Sequence, residues 1–311
     1  SVLGGYYINK NEIQKRLLMM FATKNGLSFG ESNDKKRRHR TFSSSITKAE
    51  EMQPLQPGFT IQGKDCLIMG ESGAGKTLAA LALSYAVTTG APVLDDLYGI
   101  HESKQGATYW IGSDGGDGAF GMVQKYAEML NVPQKDYWDD NFTFIGADAQ
   151  DGIPSWGFTL KGLTEVIEGL EAGHPNGQRY KLLVADSLKK ILEIADVDFG
   201  IGCVGTIMQI AQAIASKYDC TWVWLHHTKP GAAKGDFGIA SSGGNSNIFQ
   251  IPFVVHRLRK SEHKQYGQIT EWNVDKFRGE KSRTFRYVLA DYLFELIDED
   301  AIDADDKTTQ I

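Results

Sequence analysis

The sequence has few cysteines, no long apolar run and no excess of basic residues. Its three cysteines, Cys66, Cys203 and Cys220, stand far apart in apolar stretches without metal-ligand spacing, which favours buried reduced thiols over disulfides or a zinc site. No apolar run approaches the roughly 18 residues that a membrane span needs, and the N-terminus lacks a signal-peptide pattern. These absences predict a soluble, cytoplasmic protein with no membrane partner.

The charge of the chain also restricts its function. The 311 residues carry a formal net charge of −6, which argues against a protein that coats nucleic acid with its whole surface. A local basic channel is still compatible with this charge. Residues 35–40 form a basic block and residues 298–306 an acidic run, and both are typical of solvated segments.

One stretch carries a specific chemical motif, the P-loop pattern G-x-x-x-x-G-K-[ST]. The pattern is matched at every fixed position by Gly70-Glu71-Ser72-Gly73-Ala74-Gly75-Lys76-Thr77. An apolar strand over residues 66–69 precedes it and a helix over residues 77–87 follows it, as the motif requires. Backbone N–H groups of such a loop cradle phosphate oxygens, Lys neutralises the β- and γ-phosphates, and the Thr hydroxyl can bind Mg²⁺. The motif therefore predicts a nucleoside triphosphate site.

Apolar segments after the P-loop alternate between strand and helix patterns. This alternation predicts an α/β fold with a mainly parallel sheet covered by helices on both faces. The predicted strands are residues 107–113, 141–146, 181–185 and 221–225, and the predicted helices are residues 120–130, 160–170 and 204–218. From residue 253 onward, short strands joined by turns predict an antiparallel extension, over residues 253–258, 269–274, 284–289 and 292–297.

The N-terminal segment predicts a helix over residues 11–24. Ile13, Leu17, Met20 and Phe21 share one face of this helix. That apolar face needs a partner, either the body of its own chain or a neighbouring subunit, and the sequence leaves both open.

Three polar residues stand at the ends of predicted parallel strands, where ligands of open α/β sheets bind. Asp186 fits a Walker B aspartate that holds Mg²⁺, with a capping or turn aspartate as the alternative. Ser187 follows it in place of a catalytic Glu, so the general base must come from elsewhere. Asp114 is the first candidate for that base, although a turn role beside Asp117 is the alternative. His227 can contact the γ-phosphate.

These motifs together resemble the RecA-like ATPase core of hexameric replicative helicases, over about residues 55–290. The stretch that begins at His226 reads His-His-x-x-x-Gly-Ala-Ala and is similar to the plasmid RepA type. Residues 274–279 are similar to the Lys-x-Arg-x-Gly region of the DnaB type and of phage primase-helicases. The base of that family is commonly Glu, so Asp114 departs from the pattern by one methylene.

The resemblance implies a ring, expected to be a hexamer, that encloses single-stranded DNA and hydrolyses ATP with Mg²⁺ at subunit interfaces. It implies that Lys229 and Lys234 contact DNA from a central loop, and that Lys276 and Arg278 act at the nucleotide. Arg278 would be an arginine finger for the neighbouring subunit, with four other arginines as alternatives, namely Arg257, Arg259, Arg283 and Arg286. A primase or polymerase module is a possible partner.

The expected organisation is an N-terminal helix and basic linker over residues 1–50, a RecA-like ATPase domain over residues 51–297, and an acidic tail over residues 298–311. Two other functions fit the same motifs. One is a recombination or repair ATPase of the RecA/RadA kind, and the other is a KaiC-like signalling ATPase. Fold resemblance alone does not choose among them.

Overall fold

The structure, a computed structural model, describes residues 10–27, 53–93, 102–112, 125, 128, 141–146, 157–194, 203–228, 251–263, 265–277, 283–290 and 293–297. The helices are α1 (Lys10–Lys24), α2 (Lys76–Thr89), α3 (Leu160–Ala172), α4 (Leu188–Ile194) and α5 (Cys203–Tyr218). The strands are β1 (Pro54–Gln56), β2 (Thr60–Ile61), β3 (Asp65–Gly70), β4 (Ala107–Gly112), β5 (Phe142–Gly146), β6 (Tyr180–Asp186), β7 (Thr221–His227), β8 (Val254–His263), β9 (Gly267–Phe277), β10 (Arg283–Ala290) and β11 (Leu293–Leu296).

The described strands form a nine-stranded mixed sheet in the order β11-β10-β9-β8-β3-β7-β6-β4-β5. The pairs from β8 to β5 are parallel, and the pairs from β8 to β11 are antiparallel. A separate antiparallel pair joins β1 and β2. The predicted α/β core, a mainly parallel sheet with an antiparallel extension, is confirmed.

The central strands are buried on both faces because their side chains alternate between two apolar clusters. On β3, Cys66 and Ile68 face the cluster that contains α2, whereas Leu67 and Met69 face the cluster that contains α3, α4 and α5. Parallel strands covered on both faces contain continuous apolar runs rather than an alternating pattern. This explains why the sequence of each central strand is almost entirely apolar.

The N-terminal helix α1 packs on its own chain, against α5. Leu18, Phe21 and Ala22 are buried in the same cluster as α5, and the Lys217 Nζ donates a hydrogen bond to the Asn25 carbonyl oxygen at 2.9 Å. The predicted apolar face is only partly right, because Ile13, Leu17 and Met20 are exposed by 43%, 45% and 68%. The buried face lies one position further along the helix and includes Leu18 and Ala22.

Several elements differ from the sequence-based expectation. Strands β8 and β9 extend well beyond the predicted residues 253–258 and 269–274 and form one long hairpin, in which polar and charged side chains alternate with buried ones. Helix α4 and the β1–β2 pair were not predicted. The predicted helix over residues 120–130 lies outside the described residues, apart from helical backbone at residues 125 and 128. No described helix is both long and apolar enough to cross a membrane.

Candidate nucleotide-binding site

Four neighbouring strands, β3, β7, β6 and β4, end at the edge of the sheet that carries the P-loop. Gly70 at the end of β3 is in register with His227 at the end of β7, and the Thr228 N–H donates to the Gly70 carbonyl oxygen at 3.0 Å. Asp186 at the end of β6 is in register with Gly112 at the end of β4. Because β7 lies between β3 and β6, His227 stands between the P-loop strand and the strand of Asp186.

The P-loop backbone turns tightly before α2. Gly73 and Gly75 have φ angles of 72° and 87°, in the left-handed region that glycine adopts without steric cost. Helix α2 begins at Lys76 directly after this turn, and Ala, Leu and Val residues bury most of it against the sheet. The unpaired N–H groups of its first turn therefore lie at the carboxyl edge of the sheet, in the arrangement that binds anions.

Lys76 is held inside the loop. Its side chain is 5% exposed, and its Nζ donates a hydrogen bond to the Glu71 carbonyl oxygen at 2.6 Å. Burial lowers the pKa of Lys76 to about 8, although Asp186 and Glu71 act in the opposite direction, and Lys260 lowers it further. A partly desolvated ammonium of this kind gains stability when an anion enters the site.

Thr77 and Asp186 connect the two halves of the site. The Thr77 hydroxyl donates to Asp186 Oδ2 at 3.0 Å, across 109 residues of sequence. A hydroxyl and a carboxylate oxygen at hydrogen-bond distance are hard oxygen ligands, which Mg²⁺ prefers, and Mg²⁺ commonly takes only one or two protein ligands with phosphate and water. These two residues therefore fit Mg²⁺ as the sequence predicts, and a bound ion would neutralise phosphate charge there.

The two histidines at the end of β7 have different surroundings. His226 is 3% exposed, in register with Met69. His227 is exposed beside Gly70, at the edge where a ligand of the loop would lie. His227 is exposed because it is the last residue of β7, whose preceding residues are all buried.

Four predicted site residues lie outside the described residues, namely Asp114, Lys229, Lys234 and Arg278. Gly112, two residues before Asp114, ends its strand beside Asp186. Lys276 is described, and it does not join the P-loop of its own chain. Its Nζ donates to the Pro252 carbonyl oxygen at 2.6 Å, at the edge where β3 and β8 begin, because β9 runs antiparallel to β8.

Lys260 on β8 lies beside the loop, although the sequence analysis did not single it out. The predicted strand ended at residue 258, whereas β8 continues to His263 and passes the end of β3. A Cβ atom built on Gly73 would lie 2.9 Å from the Lys260 Nζ. No local motif marks this lysine, because its position depends on the pairing of β8 with β3.

Comparison with known protein families agrees with this geometry. The profile of the AAA domain family matches residues 32–233, which is more than half of the chain. The chain belongs to the AAA domain family. The matched region of this AAA domain includes the P-loop, Asp114, Asp186 and His227, and it ends before Lys234 and the β8–β9 hairpin. No curated protein sequence matches the chain.

The family match and the site geometry agree on the general activity. The AAA domain carries a P-loop nucleoside triphosphatase core, and its class binds and hydrolyses ATP. Lys76, Thr77 and Asp186 meet at one edge of the sheet, where such a core needs a phosphate-binding cation and oxygen ligands for Mg²⁺.

Proposed function

We propose that this AAA domain is the ATP-driven motor of a DNA helicase or translocase, and that it hydrolyses ATP at the subunit interfaces of a ring around single-stranded DNA. The observation that carries the proposal is the register of β3 with β7, which places His227 opposite Gly70 at the start of the P-loop. The segment in which we propose the DNA contacts follows His227 directly in the sequence.

The roles of the residues follow from their chemistry. Lys76 and the N–H groups of α2 bind the phosphates, and Thr77 with Asp186 holds Mg²⁺. Asp114, beyond the end of β4, orients the attacking water and accepts its proton. A carboxylate accepts this proton, whereas an amide does not, so the role depends on the charge of the side chain.

The link to DNA starts at His227. This residue is adjacent to Gly70, and the chain continues from it through Thr228 into the segment of Lys229 and Lys234. A movement of His227 caused by a change at the γ-phosphate can therefore be transmitted directly along the backbone to that segment. Two lysines among small residues suit a contact with the phosphodiester backbone, which is electrostatic and independent of base sequence.

The position of Lys276 is an argument for the proposed ring. In its own chain this residue lies opposite Val255 on β8, which pairs with Leu67, three residues before Gly70 and about 10 Å from it along a strand. Lys276 and Arg278 therefore act at the nucleotide of a neighbouring subunit. A guanidinium there neutralises the charge that spreads over the γ-phosphoryl oxygens, and such fingers contribute on the order of 10³ to 10⁵ in rate.

Subunit mixing tests this arrangement. Lys76→Ala lacks its own phosphate-binding cation, and Arg278→Ala lacks the finger, so each variant alone should lose ATP hydrolysis. An equimolar mixture should regain part of the wild-type rate, because some interfaces pair an intact P-loop with an intact finger. Normal hydrolysis by Arg278→Ala alone, or a mixture that regains no activity, would contradict the role of Arg278.

A further inference from the structure

We infer that Lys260 is a second phosphate-binding lysine of the nucleotide site, supplied by the same chain that supplies Lys76. The ligand group is the di- or triphosphate of a nucleotide. The inference rests on the proposed ATP binding and adds a residue from β8 that lies outside the P-loop motif and outside the matched family region.

The position of Lys260 follows from strand pairing. Strand β8 runs parallel to β3, with Leu258 opposite Gly70. Lys260 comes two residues after Leu258, so it shares the side of the strand with Leu258 and lies beyond the end of β3. The P-loop also lies beyond the end of β3, because it follows Gly70 along the chain. The hairpin partner of Lys260 is Thr270 on β9, which supports the lysine backbone from the other side.

The ammonium of Lys260 lies against the middle of the loop. A Cβ atom at Gly73 would stand 2.9 Å from Lys260 Nζ and 3.6 Å from its Cε. Gly73 has no side chain and a φ of 72°, so the lysine approaches the loop backbone at a point where another residue would be strained and would crowd it. Lys76 stands only three residues further along the loop.

The charges explain why this arrangement favours an anion. Lys260 Nζ lies against Gly73, and Lys76 Nζ lies on the Glu71 carbonyl oxygen of the same loop, so two ammonium groups repel each other in one site. No carboxylate among the described residues lies within ion-pair distance of Lys260. A polyphosphate between or beside the two lysines would replace this repulsion with attraction, and hydrogen bonds to charged groups are the stronger kind.

The test compares Lys260→Ala with Lys260→Arg, Lys76→Ala and the control Lys161→Ala. Lys161 is an exposed lysine on α3 in a surface pair with Glu165 at 3.7 Å, so its loss changes the net charge equally. The measurements are the equilibrium affinities for ATP and for inorganic pyrophosphate with Mg²⁺, and the thermal unfolding midpoint with and without ATP.

Lys260→Ala should weaken the binding of ATP and pyrophosphate by a similar factor, about 10- to 100-fold, because the lost contact is to phosphate. Lys260→Arg should recover part of the affinity, and Lys161→Ala should match the wild type. Without ATP, the unfolding midpoint of Lys260→Ala should be equal to or above that of the wild type, because repulsion with Lys76 is removed, and its increase on adding ATP should be smaller.

Two results would overturn the inference. One is wild-type ATP affinity in Lys260→Ala while Lys76→Ala loses binding, which would make Lys260 a neighbour without a role. The other is a lower unfolding midpoint of unliganded Lys260→Ala with no rescue by arginine, which would make its role structural. Failure of ATP to bind the wild type at all would instead refute the proposed function.

Discussion

A buried histidine makes the stability of this protein sensitive to acid. His256 on β8 is fully buried, and its two ring nitrogens contact the Phe59 carbonyl oxygen at 2.8 Å and the Trp272 Nε1 at 3.0 Å. Because the indole N–H is only a donor, Nδ1 of His256 accepts that bond, and Nε2 carries the proton that is donated to Phe59. The Trp272 contact therefore requires the neutral ring, whereas the Phe59 contact forms in either protonation state.

Protonation of His256 would place an N–H group against the indole N–H and a charge inside the core. Burial lowers the pKa of His256 from 6.5 to about 4, so the unfolded chain binds a proton in a pH range where the folded chain does not. The free energy of unfolding then rises with pH between these values. At 1.36 kcal/mol for each pH unit, the full contribution of His256 is about 3 kcal/mol, of which about 2 kcal/mol is lost at pH 5.

The assay is urea unfolding of unliganded wild type and His256→Gln at pH 8 and pH 5. Glutamine offers a donor and an acceptor but does not titrate, so the stability of the wild type relative to the variant should fall by about 2 kcal/mol at pH 5. The difference in the free energy of unfolding between the two proteins cancels the contributions of the other titrating groups, because both proteins contain them. One of them is Asp65, whose pKa burial raises to about 7, so that its contribution to stability grows as pH falls through that value.

A pH-independent difference between wild type and His256→Gln would refute this reasoning. It would mean that the ring is protonated in the folded protein or that water reaches it. The contacts of His256 with Phe59 and Trp272 join the turn between β1 and β2 to the β8–β9 hairpin, which carries Lys260.

Three further substitutions test separate parts of the account. Asp114→Asn should bind ATP as tightly as the wild type in a binding titration but lose hydrolysis in a phosphate-release assay; normal hydrolysis would move the base to Glu71 or Asp117. Lys234→Ala should weaken single-stranded DNA binding and lower its dependence on salt while leaving DNA-free hydrolysis nearly intact, and an unchanged affinity across a salt series would exclude this contact. Phe21→Ala should lower the free energy of unfolding by about 2 to 4 kcal/mol because Phe21 packs α1 on α5, whereas the exposed neighbour Met20→Ala should change it little; equal effects would refute the packing of α1.

The core of the fold could be predicted because its sequence signals are local. The P-loop pattern, the apolar strands of β3, β6 and β7 and the alternation with helices all lie within short windows. The same strands end in Gly70, Asp186 and His227, so the rule that ligands bind at the carboxyl ends of parallel strands was enough to bring them together.

The rest depended on pairing between distant segments. The length of β8 and β9 was underestimated because charged residues such as Arg259 and Asp275 interrupt the apolar pattern just beyond the predicted ends. In the structure these residues form ion pairs within the hairpin, Arg259 with Glu271 and Asp275 with Arg257. Lys260 could not be found from its neighbours in sequence, since only the pairing of β8 with β3 takes it to Gly73. The buried face of α1 shifted by one residue, since packing against α5 selected Leu18 and Ala22.

Strand displacement tests the central claim, that this AAA domain is an ATP-driven DNA motor, most directly. A forked DNA duplex with a labelled strand would be mixed with the wild type or with Lys76→Ala in the presence of ATP and Mg²⁺. We expect the wild type to release the labelled strand in proportion to ATP hydrolysed, and Lys76→Ala to release none. ATP hydrolysis by the wild type without release of the strand would contradict it and would favour a recombination or signalling ATPase.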